Sequence, residues 1–110
     1  MGKIFEKIYK RSLKTRFFKQ TFKLVYEEVK RIPRGKVTTY GEIAKKVGTS
    51  PKVVGFALHQ NPDPKNIPCH RVVFKDGSLS PGYVFGGIVR QKGLLLSEGV
   101  KFRNDRVEPF

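Results

Sequence analysis

One cysteine is the residue of this sequence best suited to covalent chemistry. Cys69 stands in Pro68-Cys69-His70-Arg71, between a rigid proline and an imidazole followed by a guanidinium. The thiolate is the nucleophilic form of cysteine and neighbouring cations favour it, so the setting predicts a depressed thiol pKa and a nucleophile. Free cysteine is also among the most buried residue types, and an inert core thiol is the competing reading. Zinc fits less well, because Cys69, His70 and His59 offer three ligands without the paired spacing of structural sites. Neither a phosphate-cradling glycine loop nor a paired-carboxylate site is present in the sequence.

The elements that must position this thiol are short. Phe18, Phe22, Val25, Val29 and Ile32 step by four, three, four and three residues, which puts them on one helical face. Pro33 closes that helix, since the residue before a proline is driven out of the α region. A turn at Pro33-Arg34-Gly35-Lys36 leads into the β-prone Val37-Thr38-Thr39-Tyr40 and then a helix beginning near Gly41. Gly48-Thr49-Ser50-Pro51 stops it and starts another, with Ser50 as N-cap and Pro51 at the first helical position. Two short helices joined by a glycine-containing turn form a helix-turn-helix. Asn61–Asn66 is a proline-rich loop, Val72-Val73-Phe74 is β-prone, and Leu79–Gly87 is a shaped loop rich in glycine and proline. A final helix is expected over Ile88–Ser97.

The 110 residues make one domain, and 23 Lys plus Arg against 9 Asp plus Glu give a net charge of +14. Such a field favours a polyanionic partner; nucleic acid comes before membrane because no run of 18 apolar residues occurs. A merely solvated basic surface is the alternative. A lone cysteine cannot form an internal disulfide, which fits a reducing compartment, and Met1–Gln20 lacks the apolar core of a signal peptide. The cytoplasm is the expected location.

Pro68-Cys69-His70-Arg71-Val72-Val73, preceded by Asn61-Pro62 and by Gly35-Lys36-Val37-Thr38-Thr39-Tyr40-Gly41, resembles the C-terminal DNA-binding and active-site domain of the alkylguanine-DNA alkyltransferase family, also called methylated-DNA–protein-cysteine methyltransferases. The resemblance runs from about Phe18 to Lys101. It implies an α+β, mainly helical, winged helix-turn-helix-like domain over residues 18–102, between a basic N-terminal arm (1–17) and a C-terminal tail (103–110). It also implies DNA repair by base flipping and irreversible transfer of an alkyl group from guanine O6 to the protein's own cysteine, without cofactor or metal. The implied partner is double-stranded DNA carrying alkylated guanine, approached through the minor groove by a monomer.

By the same resemblance Cys69 accepts the alkyl group, His70 takes its proton through a water, Glu98 orients His70 and Asn61 holds the active-site turn. Tyr40 would hydrogen-bond the flipped base and protonate the departing guanine, a proton transfer that a poor leaving group needs. Val72 and Phe85 would read the base through their main chain, and Tyr83 and Gly86 belong to the loop lining the pocket. Lys52, Thr38, Thr39, Ser50 and Arg71 would contact DNA. Lys52 stands where the family usually carries arginine, and lysine lacks the planar fork. The family's N-terminal domain has no counterpart in residues 1–17, which are expected to form a helix covering apolar surface with a basic side toward DNA. The related alkyltransferase-like proteins bind the lesion without removing it and usually replace the cysteine by tryptophan; they supply the alternative function.

Overall fold

The computed structural model describes residues 18–108, so the expected N-terminal arm lies outside the described residues. The chain runs α1 (residues 18–30), β1 (Thr38–Thr39), α2 (Tyr40–Val47), α3 (Pro51–His59), a 3₁₀ turn (Cys69–Arg71), β2 (Val72–Val73), α4 (Gly87–Ser97), β3 (Lys101–Arg103) and β4 (Arg106–Glu108). This is a mainly helical α+β domain, as the sequence leads one to expect.

The apolar stripe of α1 does what its spacing dictates. Val25, Val29 and Ile32 are buried, and Phe22 packs partly buried against the same core. The helix-turn-helix follows local rules: the Thr39 hydroxyl accepts from Glu42 N–H at 3.1 Å to cap α2, and Ser50 accepts from Val53 N–H at 3.3 Å to cap α3. Between them Gly48 takes φ +85°, a left-handed turn that costs glycine nothing.

β1 pairs in parallel with β2, Thr38 opposite Val72 and Thr39 opposite Val73, which fastens the helix-turn-helix to the segment directly after the cysteine. Because successive strand residues face opposite ways, Val72 enters a core with α1, α2 and α3, whereas Val73 enters a second one with Leu79, Leu95, Val100 and Val107. The cysteine turn therefore sits at the seam of two cores.

Residues 103–108, set apart by the sequence as part of a tail, belong instead to a hairpin. Phe102 faces Val107 across the β3–β4 pair, and Asn104 and Asp105 have φ of +50° and +61°, the backbone of a tight hairpin turn. Val107 is buried in the second core, and that burial is what draws the segment back.

Candidate active site

Cys69 opens the 3₁₀ turn, 5% exposed and part of the first core, with its N–H donating to Ile67 O at 2.7 Å. Asn61, 7% exposed, braces the turn from behind: its amide donates to Ile67 O at 2.8 Å and its carbonyl oxygen accepts from Asp63 N–H at 2.9 Å. The thiol pKa does not fall as the flanking cations had led us to expect. Burial pushes it up, opposed by a hydrogen bond with Asn61.

The two neighbouring side chains are engaged elsewhere. Glu98, at the C-terminal end of α4, takes the Arg71 guanidinium through Nε at 3.0 Å and a terminal nitrogen at 2.7 Å, while His70 Nε2 lies 3.0 Å from Glu98 Oε2. The other terminal nitrogen of Arg71 donates to Ile32 O at 2.8 Å. Burial opposes the charge on Glu98, but the hydrogen bonds from Arg71 and His70 overcome it and hold the carboxyl down to about 2. An ionised Glu98 only accepts, so His70 Nε2 must carry a proton and donate it, leaving Nδ1 with the free lone pair in the neutral ring.

On the thiol side lies a pocket of about 540 Å³ that gathers Tyr40, Lys52, Cys69 and Tyr83. Burial lifts the Tyr40 phenol above its ordinary value, opposed by a hydrogen bond with Ser80 and reinforced by the charge of Cys69. Burial, again with the charge of Cys69, pushes Tyr83 up to about 12. Both phenols stay protonated at neutral pH and can donate. Phe74, which the sequence reading left out, forms another wall with its ring centroid 5.4 Å from that of Tyr40.

Other expected site residues lie elsewhere. Phe85 lines a separate cleft of about 590 Å³ with His70, Arg71 and Glu98; Tyr83 borders both spaces. Gly86, φ +125°, precedes α4, where an added Cβ would come within 2.6 Å of Arg90. Val72 is fully buried and its carbonyl is engaged by Gln91. The hydroxyls of Thr39 and Ser50 cap helices, Thr38 lies in β1, and Arg71 faces inward to Glu98. Of the expected DNA contacts, Lys52 is exposed at the pocket mouth.

Sequence reasoning missed Gln91. It is 1% exposed, donates to His70 O and Val72 O at 3.1 Å each, and accepts from Ser80 N–H at 3.2 Å. One amide thus ties α4 to the cysteine turn and to the pocket loop. The available signal was a lone neutral polar side chain three residues before Leu94 and four before Leu95, on the side of α4 that faces the core.

A family model described as "6-O-methylguanine DNA methyltransferase, DNA binding domain" matches residues 20–100. The methylated-DNA–protein-cysteine methyltransferase of Thermococcus kodakarensis is 51% identical over 80 residues, covering 72% of this chain and 44% of that protein. The protein of the same name from Methanocaldococcus vulcanius is 52% identical over 81 residues, covering 74% and 48%. The chain spans about half the length of these curated relatives. Among solved structures, Schizosaccharomyces pombe Atl1 in complex with damaged DNA containing O6-carboxymethylguanine superposes with a TM-score of 0.67 at 39% identity, covering 77% of this chain and 81% of Atl1. The O6-methylguanine-DNA methyltransferase of Pyrococcus kodakaraensis gives 0.61 at 42% identity, covering 76% and 46%.

Proposed function

The chain belongs to the O6-methylguanine DNA methyltransferase family, whose DNA-binding domain it carries, and from that premise we propose that it repairs alkylated guanine in double-stranded DNA by moving the alkyl group from O6 to Cys69. The observation that carries this reading is the retained thiol on the wall of a pocket of about 540 Å³, followed in the chain by a histidine whose Nε2 is held by Glu98.

The thiol is protonated at rest, so the reaction begins with removal of its proton. His70 Nδ1 takes it, through a bridging water, while Glu98 stabilises the imidazolium that results. Sγ then attacks the sp³ carbon of the alkyl group, forming S–C as C–O6 breaks. The electron pair leaves with guanine, which receives a proton from the Tyr40 phenol, and the proton held on His70 restores that phenol. The sum is a thioether and an unmodified guanine. No step regenerates the thiol, so one protein repairs one base.

Chemistry at O6 requires the base to leave the stack, at a cost of a few kcal/mol. The net charge of +14 supplies sequence-independent attraction to the duplex. No helix among the described residues is long and apolar enough to cross a membrane, and we place the protein in the cytoplasm, where a catalytic thiol stays reduced.

Coverage of 81% of Atl1 favours a second reading, lesion binding without removal. Counting O6-methylguanine in duplex DNA after addition of limiting protein separates the two. Repair removes one lesion per protein and then stops; a sensor leaves the count unchanged while still binding.

A further inference from the structure

We propose that Phe56 is the wedge that enters the base stack when a guanine is extruded into the Cys69 pocket. The inference rests on the reading of that pocket as the receptor for a flipped base.

Phe56 follows Gly55 on α3, and its neighbours Ala57 and Leu58 are buried in the core. Phe56 itself is 49% exposed at the pocket mouth. Leaving so large an apolar ring in water forgoes stabilisation that burial would supply, and stacking on bases recovers it. One turn earlier, the Lys52 ammonium sits 5.9 Å from the Phe56 ring centroid. The pair offers what an inserted wedge uses: a flat apolar face to replace the lost stacking, and a cation beside it for the adjoining phosphates. Lysine alone has no plane to stack.

The other exposed apolar groups fit the role less well. Phe74, 40% exposed, packs on Tyr40 and is a wall of the pocket. Val84 presents no flat face. Leu24, Ile88, Val89 and Leu96 are exposed but do not line this pocket.

A wedge matters only where a stack must be opened, so its signature is the ratio between duplex and single-stranded substrates. The experiment measures affinity and methyl transfer for one O6-methylguanine oligonucleotide, as a duplex and as a single strand, with the wild-type chain and with Phe56→Ala and Phe56→Leu. Phe56→Ala is expected to lower the duplex-to-single-strand ratio by about 5- to 150-fold, the worth of one stacked base. Phe56→Leu should keep only part of the ratio, since leucine can part a base step but has no flat face to stack on the bases. An unchanged ratio, whether neither substrate suffers or both suffer equally, overturns the proposal; in the second case Phe56 touches the flipped base itself. If the wild-type chain transfers no methyl to either substrate, the repair reading fails while the affinity ratio still decides for or against the wedge.

Discussion

His70 and Glu98 meet at 3.0 Å, and the same carboxylate is gripped by the guanidinium of Arg71, so the two residues directly after the cysteine share one acid 27 and 28 positions away. The carboxylate side chain is 5% exposed, with partners at 10% and 15%. An acid at a helix C-terminus is unfavourable to the helix dipole. Here that cost is offset by the buried His70 and the part-buried Arg71, and the gain is a histidine whose Nε2 is held in place.

Removing Glu98 therefore harms stability and chemistry together. Glu98→Ala strands the Arg71 charge and is expected to cost about 3–5 kcal/mol in urea titrations. Glu98→Gln retains an acceptor, and should fold better while slowing methyl transfer at least about tenfold, a share of what general acid–base catalysis supplies. The pH dependence has a definite sign. The folded carboxyl is held down to about 2 against an ordinary value of 4.5, so its contribution is complete above about pH 4.5 and is lost as the pH falls toward 2. Acid unfolding of Glu98→Gln should be visibly shallower across that window.

Cys69 should be a poor target for general alkylating reagents. Its thiol is pushed up by burial and is 5% exposed. At pH 8 iodoacetamide is expected to modify the native chain at least about tenfold more slowly than the urea-unfolded chain, with a rate that climbs through the alkaline range. A native rate equal to or above the unfolded one would mean the thiol is activated at rest. Since the folded pKa lies above the unfolded one, the buried neutral thiol supports folding below about pH 9 and loses that contribution as the pH rises further.

Much of this site was legible because its parts lie in short contiguous runs. Cys69, His70 and Asn61 come from neighbouring motifs, the cap Ser50 sits where local rules place it, and the α1 stripe follows from period alone. What escaped depended on contacts between distant segments. Arg71 looks like a DNA ligand until Glu98 is seen to hold it, and the thiol looks activated until its burial is seen and its two neighbours are found on Glu98. The hairpin depends on Val107 reaching a core assembled from Val73, Leu79, Leu95 and Val100, information absent from its own polar sequence.

Gln91 gives the sharpest separation between positioning and mere packing. Gln91→Met keeps the volume but abandons the part-buried Ser80 N–H and two buried carbonyls, His70 O and Val72 O, whose desolvation costs about 1–3 kcal/mol each when unpaired. The variant should be destabilised, yet below its melting transition it should also transfer methyl more slowly, because the cysteine turn and pocket loop lose their common tie. Undamaged DNA binding, which rests on surface charge, should remain within about twofold and keep its salt dependence. Transfer at the wild-type rate in the folded variant would reduce Gln91 to a core residue.

Mass spectrometry of the intact chain after incubation with duplex DNA containing O6-methylguanine tests the central claim most directly. We predict a gain of one methyl group per protein, located by peptide mapping on Cys69 and absent from Cys69→Ser. An unchanged mass at saturating substrate, with the lesion bound and intact, would contradict the account and make the protein a lesion sensor.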